Sequence, residues 1–386
     1  MAPCGCTCAA TRRGCLSASA SSICSAECSR TVRFTHHQGD TMNRNLLRAA
    51  FCALSFAAAC AASAADTPAA TMPLALARAV TTQAIGLVES KGMYPLRQED
   101  YAQAKQRLLA IVDGKAQDVD RLDLYARLNG LLATLDTDKH SFVMPPVAPG
   151  QSGGAAPAGP HVPMFQLVAT TRGTVLRFVP PPITTSAPEA MSAYVQGVYD
   201  EAVAFSGIRA ACALVVDLSE QTGGNGWPPL IAMYPLFGDA NKARWVERDG
   251  NAIAVVHRGY LESKAGHDAP GHVNPFVPFA TGPLAVLVGA STASAGEMLL
   301  VALMGEARVR TFGQTSAGMS TANMTYTLPD GALFVLTQAR SALVDGPVFR
   351  GGIAPMQPAP KGEPVEASLR TAAEWAAASS PRCTSR

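Results

Sequence analysis

The sequence predicts an α/β protein in which a layered domain of strands and helices follows a helical region. Three segments between residues 74 and 135 carry apolar residues at spacings of three and four, which is typical of helices packed on one face. Beyond residue 211, short apolar strands alternate with helices and hairpins, a pattern that favours helices layered on a sheet. The length of 386 residues and an apolar content of 48% allow a sizeable core and suggest about two domains.

The first 64 residues are predicted to lie outside the folded protein. Met42 begins a secretory signal over residues 42–64, with a basic start, an apolar stretch and an A-x-A cleavage motif before Ala65. If translation starts at Met42, residues 1–41 are a non-native upstream extension. Their clustered cysteines lack the paired spacing of a zinc site. An alternative hypothesis treats the end of the apolar stretch as a lipobox that leaves Cys60 lipidated. Either hypothesis exports the protein, and we expect a periplasmic location.

The mature chain divides by pattern and composition. Residues 65–142 form the predicted N-terminal helical subdomain, and the Pro- and Gly-rich residues 143–160 form a linker. Residues 161–360 contain the layered domain, and residues 361–386 form a tail with a short helix. The elements predicted in the layered domain are a strand pair (164–180), a helix (188–205), a strand (211–217), a helix (228–238), a hairpin (244–259), a strand (284–289), a helix (295 to about 306), a strand (307–313) and a second strand pair (324–340).

Charge and apolar runs exclude two classes of protein, those that bind nucleic acid and those that span a membrane, and the cysteine positions bear on disulfides. The net charge is +2, with 31 basic and 29 acidic residues and no basic run, so nucleic acid is not an expected partner. No segment of the mature chain reaches the roughly 20 apolar residues that a membrane span needs. Cys212 lies in a predicted buried strand and Cys383 in the tail, so we expect no structural disulfide.

Ser294 is the first candidate functional residue. The segment 283–297, PLAVLVGASTASAGE, runs an apolar strand into a turn of small residues and places Ser294 at the start of a helix. The unpaired N–H groups and the positive end of the helix dipole favour an alkoxide or an oxyanion there. The alternative interpretation is an N-cap, in which Glu297 completes a capping box.

A glycine pair follows the strand that ends at Asp217. In the loop 218–227, LSEQTGGNGW, Gly223 and Gly224 allow a backbone N–H to approach a reacting carbonyl oxygen, which is what an oxyanion hole requires. Taken alone, the same loop also fits an ordinary Gly-rich turn.

Five segments in this order resemble the tail-specific, or C-terminal processing, serine peptidases, and within them the tricorn-core-like branch without a catalytic lysine. The resemblance covers roughly residues 74–360 and implies a Clp-protease/crotonase-like layered domain, a peptide or unfolded-protein substrate, and no metal or cofactor. The PDZ domain of better-known members is not expected, because only roughly 70 residues separate the helical region from the strand at 211. The segments are LDTDKHS (135–141), VVDLSEQTGGN (215–225), LVGASTASAGE (287–297), GQTSAGMSTAN (313–323) and LPDGALFVLTQAR (328–340).

The resemblance implies a role for each matching residue of the serine turn. Ser294 matches the nucleophile, and the N–H of Ala295 with that of Gly223 or Gly224 would form the oxyanion hole. The lysine of the commoner members falls on Met319, and a thioether cannot accept a proton, so a Ser–Lys dyad is excluded.

The resemblance also implies that His140 is the general base. A neutral imidazole, with a pKa of about 6.5, can take the serine proton at neutral pH. The related enzymes orient this histidine through a serine and a glutamate, but Lys139 precedes His140 here. Asp345 is the candidate acid or orienting residue, although Asp-Gly is also a strong turn signal.

Three functional hypotheses follow from these residues. The first is an exported serine-type peptidase that uses Ser294 and His140. The second is a non-catalytic peptide-binding protein that has kept the cleft but lost the chemistry, which the missing lysine and acid favour. The third is an esterase that uses the same serine, since acyl transfer does not distinguish an ester from an amide.

Overall fold

The computed structural model describes residues 70–114, 117–146, 164–253, 256–265 and 274–383. The predicted upstream extension, the signal segment with Cys60, and residues 147–160 of the predicted linker lie outside this part of the chain.

Strands and helices follow one another along the whole described chain. The strands are β1 (Thr71–Met72), β2 (Val119–Asp120), β3 (Phe142–Met144), β4 (Phe165–Thr170), β5 (Gly173–Phe178), β6 (Ala213–Asp217), β7 (Ala243–Glu247), β8 (Ala252–Ile253), β9 (Leu284–Val288), β10 (Val309–Gly313), β11 (Thr321–Thr327), β12 (Leu333–Leu343) and β13 (Gln357–Pro358). The helices are α1 (Leu74–Lys91), α2 (Gln98–Val112), α3 (Arg121–Leu132), α4 (Pro188–Ala204), α5 (Trp227–Ala232), α6 (Arg258–Ala265), α7 (Ala295–Met304) and α8 (Val365–Ser379).

The main sheet has six strands in the order β13-β10-β9-β6-β5-β4, parallel except for β4 at one edge. Strands β6 and β9 lie at its centre and are buried along their whole length, as their continuous apolar runs predict for parallel strands covered on both faces. Successive side chains of β6 point to opposite faces. Leu214 and Val216 pack with helices α4, α5 and α7, whereas Ala213 and Val215 pack with α8.

The second sheet connects the helical region to the site. It is antiparallel in the order β11-β12-β7-β8, with β3 paired to β12. The apolar faces of α1, α2 and α3 share one core with Phe334 and Leu336 of β12. The end of α3 and the loop after it are therefore held against this sheet, which fixes the position of residues 133–141.

Two expectations are corrected by the structure. The helix expected over residues 228–238 ends at Ala232, because Pro235 lacks the N–H that would continue the helical bonds. The expectation of no structural disulfide is also wrong. Cys212, just before β6, is bonded to Cys383, since α8 packs across the main sheet and returns the chain to this edge.

None of the helices in the described ranges combines the length and the apolar character that a membrane crossing requires.

Candidate active site

Ser294 occupies a strained backbone conformation between β9 and α7. Its φ of 51° and ψ of −112° lie outside the regions that side-chain-bearing residues usually adopt. Among the described residues, only Asp138 and Lys139 share a positive φ without being glycine. Strain of this kind costs about 1–3 kcal/mol and concentrates at functional sites. A sharp strand-to-helix turn is also how α/β-hydrolases expose a nucleophilic serine.

The buried carboxylate of Glu297 holds this turn in place. It accepts hydrogen bonds from the backbone N–H of Ser294 (3.2 Å), the hydroxyl of Ser316 (2.5 Å), and the N–H groups of Gly318 (2.9 Å) and Met319 (2.6 Å). Burial raises the pKa of Glu297, and these four hydrogen bonds oppose the rise. The interaction expected of a capping box is therefore present, and the same carboxylate also ties α7 to residues 316–319.

The glycine pair lies beside the serine. Gly223 and Gly224 have φ values of 138° and 109°, which L side chains rarely adopt. A Cβ on Gly223 would lie 3.2 Å from the Cβ of Ser294, and one on Gly224 would overlap the carbonyl oxygen of Ile183. No described residue accepts a hydrogen bond from the N–H of Gly223, Gly224 or Ala295. These N–H groups are thus unpaired donors, as an oxyanion hole requires.

Hydrogen bonds fasten the glycine loop to the serine turn. The N–H of Ala293 donates to the carbonyl oxygen of Gln221 (2.9 Å), and the hydroxyl of Thr292 donates to that of Leu218 (2.7 Å). A side chain on Gly296 would overlap the Gln221 carbonyl, so only glycine fits there. The two loops at the carboxyl ends of β6 and β9 therefore form one unit.

His140 is buried, with 8% of its surface exposed, and follows the short segment after α3. Its Nδ1 lies 2.6 Å from the hydroxyl oxygen of Thr321, at the start of β11. Burial lowers the pKa of His140, and the negative charge of Asp138 partly opposes this. The imidazole is consequently neutral at pH 7 and is chemically able to accept a proton.

One segment contacts both His140 and the serine turn. Met319 donates its N–H to Glu297, which also binds the N–H of Ser294. Two residues later, Thr321 contacts the ring of His140. Residues 319–321 therefore connect the candidate nucleophile and the candidate base, through the side chains of Glu297 and Thr321.

A buried arginine fixes the loop that carries His140. Arg340 of β12 is 1% exposed and binds Asp136 (2.5 Å) and Asp138 (2.6 Å) through its two Nη atoms. Its Nη2 also donates to the backbone carbonyl of Asp136 (2.9 Å). This clamp holds Asp138 and Lys139 in their left-handed conformation just before the histidine.

The structure brings five of the six sequence-predicted site residues into this region, and Asp345 is not among them. It lies in an exposed turn after β12. The Asp-Gly turn interpretation matches this location. Met319, which the resemblance places at the position of the missing lysine, uses only its backbone in the contacts described above.

Three residues hold the site through contacts that the sequence did not predict. Arg340 is separated from its partner Asp138 by 202 positions, and Thr321 is separated from His140 by 181. The third, Asn323, donates its Nδ2 to the backbone carbonyl of His140. The one available signal was the pair of aspartates in DTDKHS, since carboxylates so close to a buried histidine need a cation partner.

Comparisons with known proteins identify the family and the fold to which this site belongs. Residues 189–357 match the family described as Peptidase family S41. Over 126 residues the chain is 29% identical to the nisin-resistance protein of Lactococcus lactis subsp. lactis. That alignment covers 33% of this chain and spans only 39% of the length of the relative.

Two solved structures share the fold. A lipoprotein from Streptococcus agalactiae superposes with a TM-score of 0.58 at 18% identity, covering 80% of this chain and 98% of that one. The photosystem II D1 C-terminal processing protease superposes with a TM-score of 0.50 at 15% identity, covering 77% and 97%. The predicted Clp-protease-like fold is confirmed. The predicted family of tail-specific peptidases is confirmed as well, for the domain of residues 189–357 that matches peptidase family S41.

Proposed function

We propose that this protein is a serine-type peptidase in which Ser294 is the nucleophile and His140 is the general base. The observation that carries the proposal is the strained turn of Ser294 at the start of α7, packed against a glycine pair with unpaired N–H groups. A residue whose only task was to cap the helix would adopt the extended backbone usual for an N-cap and would need no such glycine pair.

The reaction follows from the chemistry of these groups. The neutral imidazole of His140 takes the proton from the Ser294 hydroxyl as its oxygen attacks the peptide carbonyl carbon. The resulting oxyanion accepts hydrogen bonds from the N–H of Ala295 and from that of Gly223 or Gly224. His140 then gives its proton to the leaving amine, and water releases the acyl group by the same steps in reverse order. Loss of one oxyanion donor typically costs about 10²–10³ in rate.

The proposal places the enzyme outside the cytoplasm, at the cell envelope or in the periplasm. The Cys212–Cys383 disulfide supports this location, because structural disulfides persist in oxidising compartments. One structural neighbour is described as a lipoprotein and one relative as a nisin-resistance protein, which also fits the envelope. The predicted signal segment before Ala65, or lipidation of Cys60, would provide the route.

The first experiment tests nucleophile and base separately. Protein beginning at Ala65 is incubated with an unfolded protein, with C-terminally tailed peptides and with nisin, and products are identified by mass spectrometry. Ser294→Ala and His140→Ala should abolish or strongly reduce cleavage. Ser291→Ala is the matched control, since Ser291 is exposed in the same turn and should leave activity unchanged.

Each other outcome points to a different function. Cleavage that survives Ser294→Ala would reject the proposed nucleophile. Loss with Ser294→Ala but not with His140→Ala would reject only the base. Bound but uncleaved peptide for every version would support the non-catalytic hypothesis, and hydrolysis of ester substrates alone would support the esterase. A fluorophosphonate probe, located by peptide mapping, reports independently whether the Ser294 oxygen is reactive.

A further inference from the structure

We infer that Thr321 is the positioning residue of the base, and that a relay of uncharged side chains, Thr321, Asn323 and Thr337, orients His140 where related enzymes use an acid. The inference deepens the proposed function and rests on it for the role of His140. It concerns one property of the ring: which nitrogen carries the proton.

The relay consists of three side chains behind the imidazole. The hydroxyl oxygen of Thr321 lies 2.6 Å from Nδ1 of His140 and 3.3 Å from Oδ1 of Asn323. The hydroxyl of Thr337 donates to the same Oδ1 at 2.8 Å. Thr337 is fully buried and Thr321 is 9% exposed, so bulk water does not compete for these bonds.

The direction of each hydrogen bond follows from one contact in which donor and acceptor are unambiguous. The Nδ2 of Asn323 lies 3.1 Å from the backbone carbonyl oxygen of His140, which can only accept a hydrogen bond. The amide is thereby oriented, and its Oδ1, also an acceptor, faces the two hydroxyls. Thr321 therefore donates its single proton to Asn323. Its oxygen is left to accept a hydrogen bond from Nδ1–H of His140.

This orientation prepares the ring for proton transfer. A neutral imidazole with its proton on Nδ1 has its lone pair on Nε2, the opposite edge of the ring. The serine proton would then be taken by Nε2, while Nδ1–H stays bonded to Thr321. Asn323 also holds the backbone of the same residue, so one amide sets both the position of the ring and its tautomer.

The surrounding charges fit a relay without an acid. A carboxylate bonded to Nδ1 would stabilise the imidazolium and raise the pKa of His140, but its pKa is lowered. Asp138 is the charged group that acts on the ring, and its carboxylate is bonded to Arg340 and not to Nδ1. Asp345, the acid expected from sequence, lies in an exposed turn.

The test reads the tautomer directly. The ¹⁵N and ¹H spectra of histidine-labelled protein distinguish an Nδ1–H from an Nε2–H ring, and His140→Gln identifies the signal of His140. The wild-type protein should show Nδ1–H at neutral pH. Thr321→Val, which keeps the shape but removes the hydroxyl, should shift the population towards Nε2–H, and Thr321→Ser should restore Nδ1–H.

Activity on a fluorogenic peptide provides the second readout. Thr321→Val should lower kcat by about 10- to 100-fold, a part of the 10²–10⁴ that general-base catalysis contributes, with little change in KM. Thr321→Ser should recover most of the loss. Thr325→Val is the matched control on the same strand, because Thr325 is exposed and should leave both tautomer and activity unchanged.

The two proposals fail in distinguishable ways. An Nε2–H ring in the wild-type protein would overturn the relay whatever the activity, and this measurement needs no variant of the relay residues. A Thr321→Val protein with wild-type tautomer and kcat would overturn it as well. An Nδ1–H ring that Thr321→Val shifts, in a protein that cleaves no peptide, would support the relay while rejecting the proposed function.

Discussion

Burial gives His140 the chemical state that a general base needs. A histidine close to its usual pKa of 6.5 is substantially protonated in mildly acidic solution and cannot then accept a proton. Desolvation disfavours the charged ring and lowers this pKa, while the charge of Asp138 limits the effect. The two residues therefore set the lower pH limit of the proposed activity between them.

The pH dependence of kcat/KM tests this balance. Because the neutral ring is the active form, the acidic limb of the profile should lie below pH 6.5. Asp138→Asn removes the charge that stabilises the imidazolium, and asparagine tolerates the left-handed backbone of this position. The limb should then move to still lower pH. A limb above pH 6.5, or an upward shift in the variant, would contradict this assignment.

Ser294 shows how a costly backbone conformation is maintained. Its strain of about 1–3 kcal/mol is offset locally by the Glu297 carboxylate, which binds the N–H of Ser294 and, through three further bonds, residues 316–319. Both the serine turn and residues 316–319, which lead into β11, are therefore held by the same buried group.

Among the elements, β12 holds in place the loop of residues 133–141, which contains His140 and is called the base loop below. Its Arg340 binds both aspartates of the DTDKHS segment from inside the protein, whereas Arg350 binds Asp136 from the surface with 63% of its side chain exposed. The two arginines share a partner but differ in burial. Substituting each in turn therefore compares the stability that a buried ion pair contributes with the contribution of an exposed one.

We expect Arg340→Met to destabilise the fold by about 3–5 kcal/mol, because it leaves the carboxylate of Asp138 without its ion-pair partner and that of Asp136 with only the exposed Arg350. The value should fall towards the lower end, since the aspartates retain 21% exposure. Arg350→Met should cost no more than about 1 kcal/mol, as exposed ion pairs do. Urea unfolding of both variants measures the difference. Equal stability of the two would show that the Arg340 clamp is not structural.

The limits of sequence reasoning appear clearly at the scale of elements. The start of α7 at Ala295 and the buried strands β6 and β9 were predictable, because local apolar patterns and small-residue turns encode them. The relay was not, because a polar side chain at the start of β11 looks like any other turn residue until β11 is placed beside the base loop. Only the fold brings residues 181 positions apart into contact.

On the scale of the whole molecule, α8 and the disulfide join the end of the described chain to the main sheet. Helix α8 covers the face of the sheet opposite α4, α5 and α7, and Cys383 then bonds to Cys212 beside β6. The sequence did not predict this bond, because its two cysteines are 171 positions apart and lie in a predicted strand and in the tail. The α/β class and the family, in contrast, depend on patterns distributed along the chain, and both predictions are confirmed.

Removing the disulfide should weaken the protein without altering the site. Cys212→Ser/Cys383→Ser should lower the free energy of unfolding by about 2–4 kcal/mol, chiefly because the unfolded chain gains freedom. Chemical denaturation with and without reductant measures the effect, and reductant should destabilise only the wild type. Alkylation of both cysteines in unreduced, denatured wild-type protein would show that the bond does not form.

The position of this disulfide also determines how autolysis of the protein would be detected. The covalent loop from Cys212 to Cys383 contains Ser294, the glycine pair and the relay residues of β11 and β12, whereas His140 lies outside it. A cut within the loop leaves both fragments joined through sulfur, so autolysis there would be invisible on a non-reducing gel. A cut between His140 and Cys212 would release a separate fragment that carries the base, and the two kinds of cleavage are distinguished by comparing reduced with unreduced samples.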